Sequence, residues 1–116
     1  MNRGDVFLAR FPHPSGGRGK KRPVVVVKAD SYLQNLRTVI VAEITKNLSM
    51  ANDPACVFID AASSDGKATG VVQDSVISCL TLATLRVDLL DQSIGVLSIA
   101  LRQKLDDGLK TALGIA

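Results

Sequence analysis

Apolar positions in this chain come in short runs for most of its length, and only near the end do they recur at helical spacing. Asp5-Val6-Phe7-Leu8-Ala9-Arg10 predicts a first strand. Phe11 to Lys21 cannot continue it, because Pro12, Pro14, Gly16, Gly17 and Gly19 break regular structure. A long mobile loop carrying Arg18, Lys20 and Lys21 is expected there. Pro23 to Val27 sets four valines behind a proline, which suits a strand start and suggests burial on both faces. Thr38 to Ile44 predicts a third strand, and Leu48 to Pro54 a connector. Ala55 to Asp60 predicts a fourth strand with Cys56-Val57-Phe58-Ile59 as its apolar centre. Ala61 to Thr69 is small and polar, with Asp65-Gly66 signalling a turn. Gly70 to Ser78 returns to strand character, Thr81 to Val87 reads as an extended segment or turn, and Asp88-Leu89-Leu90 as a short strand before Gly95.

The end of the chain follows a different period. Leu101, Leu105, Leu109, Ala112 and Leu113 line one helical face, with Arg102, Lys104, Asp106, Asp107 and Lys110 on the other. Ser98 can cap the start by accepting an orphan N–H, and Gly114 suits the left-handed residue that ends helices. No repeat or low-complexity segment interrupts the chain. Residues 1–116 are therefore expected to form one domain, mainly β with a C-terminal helix, in a small antiparallel barrel or strongly curved sheet.

Composition narrows the function. With 47% hydrophobic residues the chain can build a core, so disorder is not expected. No apolar run approaches the roughly 18 residues of a membrane span. Met1-Asn2-Arg3-Gly4-Asp5 lacks the apolar region of a signal peptide. Cys56 and Cys79 lack CxxC spacing and are expected to be reduced, space-filling thiols of a cytoplasmic protein. The charge is uneven. Residues 1–50 hold nine Lys/Arg against Asp5, Asp30 and Glu43, while residues 51–116 hold five against eight Asp. A basic first half fits a polyanionic ligand; the alternative is a surface that merely keeps the protein soluble.

Five segments in order carry a resemblance. Gly4-Asp5-Val6 opens a strand, a Gly-rich basic loop follows, and Arg22-Pro23 leads into the valine run. Thr38 to Thr45, Gln73-Asp74-Ser75-Val76-Ile77, Gly95-Val96-Leu97-Ser98 and the helix ending Leu113-Gly114 complete the set. Over nearly the whole chain this resembles the MazF/PemK toxins of type II toxin–antitoxin systems. Two stretches depart from the pattern. Glu43 stands where the family often has Pro. Across Ser78 to Thr84 only Thr84 matches, where several members carry charged residues.

The resemblance implies an SH3-like barrel shared with CcdB toxins, a homodimer, and neutralisation by a small MazE-like antitoxin whose tail lies across the RNA groove. It also implies sequence-specific endoribonuclease activity on single-stranded RNA. The reaction would be attack of a 2′-OH on the adjacent phosphate, leaving a 2′,3′-cyclic phosphate and a 5′-OH and inhibiting translation and growth. That chemistry needs no metal or other cofactor, and one His with two separated Cys offers no paired ligand motif. Arg22 matches the family's catalytic Arg, and a guanidinium fork suits phosphate oxygens. Thr45 matches its active-site Thr, with a hydroxyl that can donate to phosphate or orient the 2′-OH. His13, with an unperturbed pKa near neutral, and Glu43, on the same strand face as Thr45, are the acid–base candidates. Arg18, Lys20, Lys21, Arg37 and Lys46 are candidate phosphate contacts. Phe11 and Tyr32 are the aromatics expected near RNA bases, and Phe7 and Phe58 are expected in the core. The competing readings are a CcdB-like toxin that binds gyrase without cutting RNA, and a non-catalytic nucleic-acid-binding barrel.

Overall fold

The computed structural model describes residues 1–11, 20–32 and 37–116. In chain order these form β1 (Asp5–Arg10), β2 (Lys21–Val26), β3 (Thr38–Thr45), β4 (Cys56–Ile59), α1 (Ser64–Ala68), β5 (Ser75–Arg86), β6 (Leu90–Val96) and α2 (Ile99–Leu113). The strands make one antiparallel sheet in the order β4-β5-β3-β2-β1-β6. The mainly-β architecture with a C-terminal helix is the expected one. The sheet curls without closing by hydrogen bonds, and its β6 edge meets the stretch after α1 through backbone contact. A Cβ at Gly70 would lie 2.1 Å from the Ile94 carbonyl oxygen, and Gly70 has φ +82°, so only glycine suits this seam.

The valine run is buried on both faces. Val24, Val25 and Val26 are each 0% exposed, and successive side chains point to opposite sides of the sheet. Val25 joins Val6, Ile44, Ile77 and Leu105 in a cluster beneath α2, whereas Val24 and Val26 join Val39, Val41 and Leu85 on the other face. Burial of this kind stabilises by about 1.5–3 kcal/mol per large apolar side chain. The helix is held at both ends as its sequence implies. The Ser98 hydroxyl accepts from the Leu101 N–H at 3.2 Å, and Gly114 closes the helix at φ 69°.

Three expectations need correction. The polar stretch 61–69 is not a plain turn: residues 64–68 form α1, because the Ser63 hydroxyl accepts from the Gly66 N–H at 2.9 Å and starts a helical turn. The strand expected from Gly70 begins only at Ser75, since residues 70–74 lead from the β6 seam at Gly70 to the start of β5. It then runs on to Arg86, taking in the ambiguous segment. The short strand expected at residues 88–90 is instead a 3-10 turn (Val87–Leu89) followed by a full edge strand, β6. Asp91, Gln92 and Ser93 hide this strand in the sequence, because an edge exposed to water needs no apolar alternation.

The β3–β5 register explains why residues 78–84 resist a periodic reading. Ala42 faces Leu82, yet Glu43 faces Ser78, so Cys79, Leu80 and Thr81 are extra residues in β5. The bulge is tied down locally. The Ser78 and Thr81 hydroxyls lie 3.0 Å apart, the Cys79 N–H donates to the Ala55 carbonyl at 3.0 Å, and the Cys79 side chain is buried under α2. Phe58, expected in the core, faces outward and is 41% exposed, because alternation gives the inner face of β4 to Val57 and Ile59.

Candidate functional site

β2 and β3 pair at Val26–Val41, Val25–Ala42 and Val24–Glu43, and pairing stops there. The reason is chemical. The Val27 N–H donates to the Ile40 carbonyl at 2.9 Å, and every second residue of β2 faces β3 in the same way. Two steps back the position belongs to Val25, and four steps back to Pro23, which has no N–H to give to Ile44. The strands part at that point. Carried on without a bond, the register sets Arg22 opposite Thr45. Both line one cleft of about 360 Å³, with Lys20, Lys21, Pro23, Ile44, Lys46 and Asn47.

The cleft is cationic. Lys20, Lys21, Arg22 and Lys46 line it, and among the described residues no carboxylate does. Arg22 is half-buried, so its backbone is fixed by pairing with Ala9 while its head reaches the opening. Among the described residues no ion pair occupies Arg22; the pairs there are Arg3–Asp106, Lys21–Asp91 and Arg86–Asp88. The Thr45 hydroxyl accepts from the Asn47 N–H at 3.1 Å, which orients its oxygen and leaves its hydrogen to donate outward. The Asn47 side-chain oxygen in turn accepts from the Ser49 N–H at 3.0 Å, so the turn that carries Lys46 is held from within.

The other expected site residues are distributed as follows. Glu43 sits half-buried at the last β2–β3 pair, on the same face as Thr45 but outside the cleft lining. Lys21 lines the cleft while its ammonium donates to Asp91 on β6, and that bond holds the Asp91 carboxyl below its usual range. Arg37 lies just before β3, eight residues from Thr45 and so about 25 Å away along the strand. There its carbonyl accepts from the Val87 N–H at 2.7 Å. Tyr32 is 63% exposed beyond the far end of β2. Phe11 is 5% exposed and packed in the second core cluster, so it offers no face for stacking. His13 and Arg18 lie outside the described residues. Sequence reading passed over Asn47, Pro23 and Asp91 as parts of this site. The Thr-x-Asn spacing was a usable turn signal, whereas nothing local links Lys21 to a residue seventy positions later.

Both thiols are held toward their protonated form. Burial pushes the Cys79 thiol up to about 11, reinforced by Cys56, and burial also raises Cys56. Both cysteines are free. Among the described residues no three His, Cys, Asp or Glu side chains are grouped as a metal site would need. No helix among them is long and apolar enough to cross a membrane.

Comparison with known proteins agrees with this geometry. A family described as the PemK-like, MazF-like toxin of type II toxin–antitoxin systems matches residues 2–113. Endoribonuclease MazF6 of Mycobacterium tuberculosis is 32% identical over 117 residues, covering 99% of this chain and 98% of that protein. The fold is similar to the M. tuberculosis toxin MazF-mt6, with a TM-score of 0.76 at 24% identity over 97% of this chain and 98% of that one. It is also similar to a mycobacterial endoribonuclease solved with its cognate antitoxin, with a TM-score of 0.78 at 21% identity over 100% and 97% of the two chains.

Proposed function

The chain belongs to the PemK-like, MazF-like toxin family of type II toxin–antitoxin systems, and from that premise we propose that it is an endoribonuclease cutting single-stranded RNA in the Arg22–Thr45 cleft. The observation that carries the reading is the splayed end of the β2–β3 pair, which sets a guanidinium and an oriented hydroxyl across an opening lined by cations. A phosphate of the RNA backbone fits that opening by charge.

The reaction proposed is internal transfer. The 2′-oxygen bonds to the adjacent phosphorus as its proton leaves, the bond from phosphorus to the 5′-oxygen breaks, and the 5′-oxygen gains a proton. The products are a 2′,3′-cyclic phosphate and a 5′-OH. Arg22 is assigned to the non-bridging oxygens, where charge builds up, and its fork can hold two of them. Thr45 is assigned a hydrogen bond to the same phosphate or to the attacking hydroxyl. An Arg cannot serve as base, since it stays charged. Proton transfer is assigned to Glu43, next along the strand from the cleft, or to His13. No step requires a metal. Lys20 and Lys46 flank the cleft as phosphate contacts that carry no sequence information.

By the same reading the protein acts in the cytoplasm as a homodimer and is neutralised by a MazE-like antitoxin that occupies the cationic cleft. The test is a mixed-sequence single-stranded RNA incubated in EDTA with the native chain and with Arg22→Ala. Discrete cuts with 5′-OH ends are expected, slowed about 100- to 1000-fold in the variant, as for loss of one donor to a transition-state oxyanion. Intact RNA with folded native protein would overturn the proposal and favour a toxin that acts by binding alone.

A further inference from the structure

Beside the Arg22–Thr45 cleft lies a second hollow of about 300 Å³ that shares Lys21, Pro23, Ile44 and Lys46 as its wall. Its character differs. Leu8, Val71 and Ile94 make it apolar, and Gln73 stands at its edge as a polar group without charge. We propose that this hollow takes one unstacked base of the RNA next to the cut phosphate, and that the Gln73 amide reads that base. The proposal rests on the nuclease reading for its ligand and deepens it by locating sequence choice.

Three observations support it. First, the hollow and the cleft share Lys21, Pro23, Ile44 and Lys46, which alternate with Arg22 and Thr45 and so point to the α2 side of the sheet; the cleft at the parted strand ends joins the two sides, and a base next to a phosphate at Arg22 reaches the apolar wall by turning round that open end. Second, the segment carrying Gln73 is rigid without belonging to the sheet. The Val71 N–H donates to the Thr69 hydroxyl at 3.2 Å, and that hydroxyl donates to the Gly66 carbonyl at 2.6 Å. The Ala61 N–H donates to the Asp74 carboxylate at 3.0 Å, and the Ser75 hydroxyl donates to the Gln73 carbonyl at 2.9 Å. Gln73 is thus fixed at its backbone, while its side chain is exposed and makes no hydrogen bond among the described residues. Its amide carries a donor and an acceptor side by side, the pattern that pairs with a base edge. Third, Val72 beside it is an apolar side chain left 89% exposed. The face of a base would cover it. The described aromatics do not line this hollow, so the base is gripped by aliphatic walls and an amide rather than by stacking.

The test uses the full chain and a panel of 2′-fluoro single-stranded RNAs, which cannot cut themselves, with each base placed in turn at each position. Binding is read by fluorescence anisotropy. The native chain is expected to prefer one base at one position by about 5- to 150-fold. Gln73→Ala should flatten that preference to about twofold or less while keeping affinity for the remaining RNAs, and Gln73→Glu, which keeps the acceptor and loses the donors, should change which base is preferred. An unchanged preference in Gln73→Ala, a uniform loss of affinity across the panel, or no base preference in the native chain would each overturn the proposal. Because nothing is cut in this assay, base-selective binding by a chain that fails to cleave RNA would remove the nuclease reading and leave the pocket standing.

Discussion

The two ends of the β2–β3 pair are made of the same two strands and do opposite work. At Val24 to Val26 the ladder is complete, both faces are buried, and each side chain packs within one of the two core clusters. Next to it, at Lys21 to Pro23, the ladder to β3 is open, the lining is cationic and the side chains are partly or fully exposed. The difference teaches that the site gains its precision from the closed end. Arg22 can be held half-buried and partly unpaired because the next residues are anchored on both sides of the sheet. A single missing N–H, at Pro23, separates the two regimes.

The comparison can be broken most severely at its closed end. Val25→Asp places a carboxylate at a fully buried position among apolar side chains, at a cost of more than about 4 kcal/mol. A domain of this size has about 5–15 kcal/mol in all. The variant is expected to lose most of its cooperative thermal transition by circular dichroism. Arg22→Ala, at the open end, should do the reverse. Its thermal midpoint should stay near that of the native chain, with stability changed by about 0.5 kcal/mol or less, while RNA cleavage falls by the factor given above. A loss of stability comparable to that of Val25→Asp would show that the open end is structural after all.

The boundary itself can be moved. Pro23→Val supplies the N–H that would bond to Ile44, drawing Arg22 toward Thr45 and narrowing the cleft. The added hydrogen bond, about 0.5–1.5 kcal/mol, is offset by about 0.4–1 kcal/mol from the greater freedom of the unfolded chain. The melting temperature should therefore barely move, while cleavage slows several-fold and the residue 23 amide becomes protected from hydrogen exchange. Unchanged cleavage with a protected amide would sink the link between splaying and function.

The smallest effect belongs to the core under α2. The Cys79 thiol is raised to about 11 by burial, so the folded state keeps its proton when the unfolded chain, near 9, releases it. Its contribution to stability is present below about pH 9 and is lost as pH rises from there through about 11. Urea midpoints should fall over that window, and the fall should be shallower in Cys79→Ala, whose overall stability is lower. A parallel fall in both proteins would assign the alkaline loss to other groups.

Much of this molecule was legible from local pattern. β1 was expected with its observed ends, the valine run was expected to be buried on both faces, and α2 was expected between its serine and glycine caps. Each depends on neighbours within about four residues, where periodicity and capping act. Arg22 and Thr45 were singled out by resemblance, and the register then set them across one cleft. The elements that were missed depend on distant contacts. β6 carries Asp91, Gln92 and Ser93 and is a strand because β1 offers it an edge. The β5 bulge exists because Cys79 is drawn under α2, where a Cβ at Gly108 would lie 2.9 Å from its sulfur. Phe11 was expected beside RNA because it lies outside the apolar strand patterns, yet alternation carries it into the core with Ala9.

The sequence by itself determined which segments could be strands, where the last helix starts and stops, and that positive charge gathers in the first half, because these follow from side-chain chemistry and short-range geometry. Only the tertiary structure decided that a proline would open the ladder beside Arg22, that Asp91 would engage Lys21 from the far edge strand, and that Gln73 would line an apolar hollow. Those outcomes depend on register and on the curl of the sheet, which bring together residues whose separation along the chain carries no local signal.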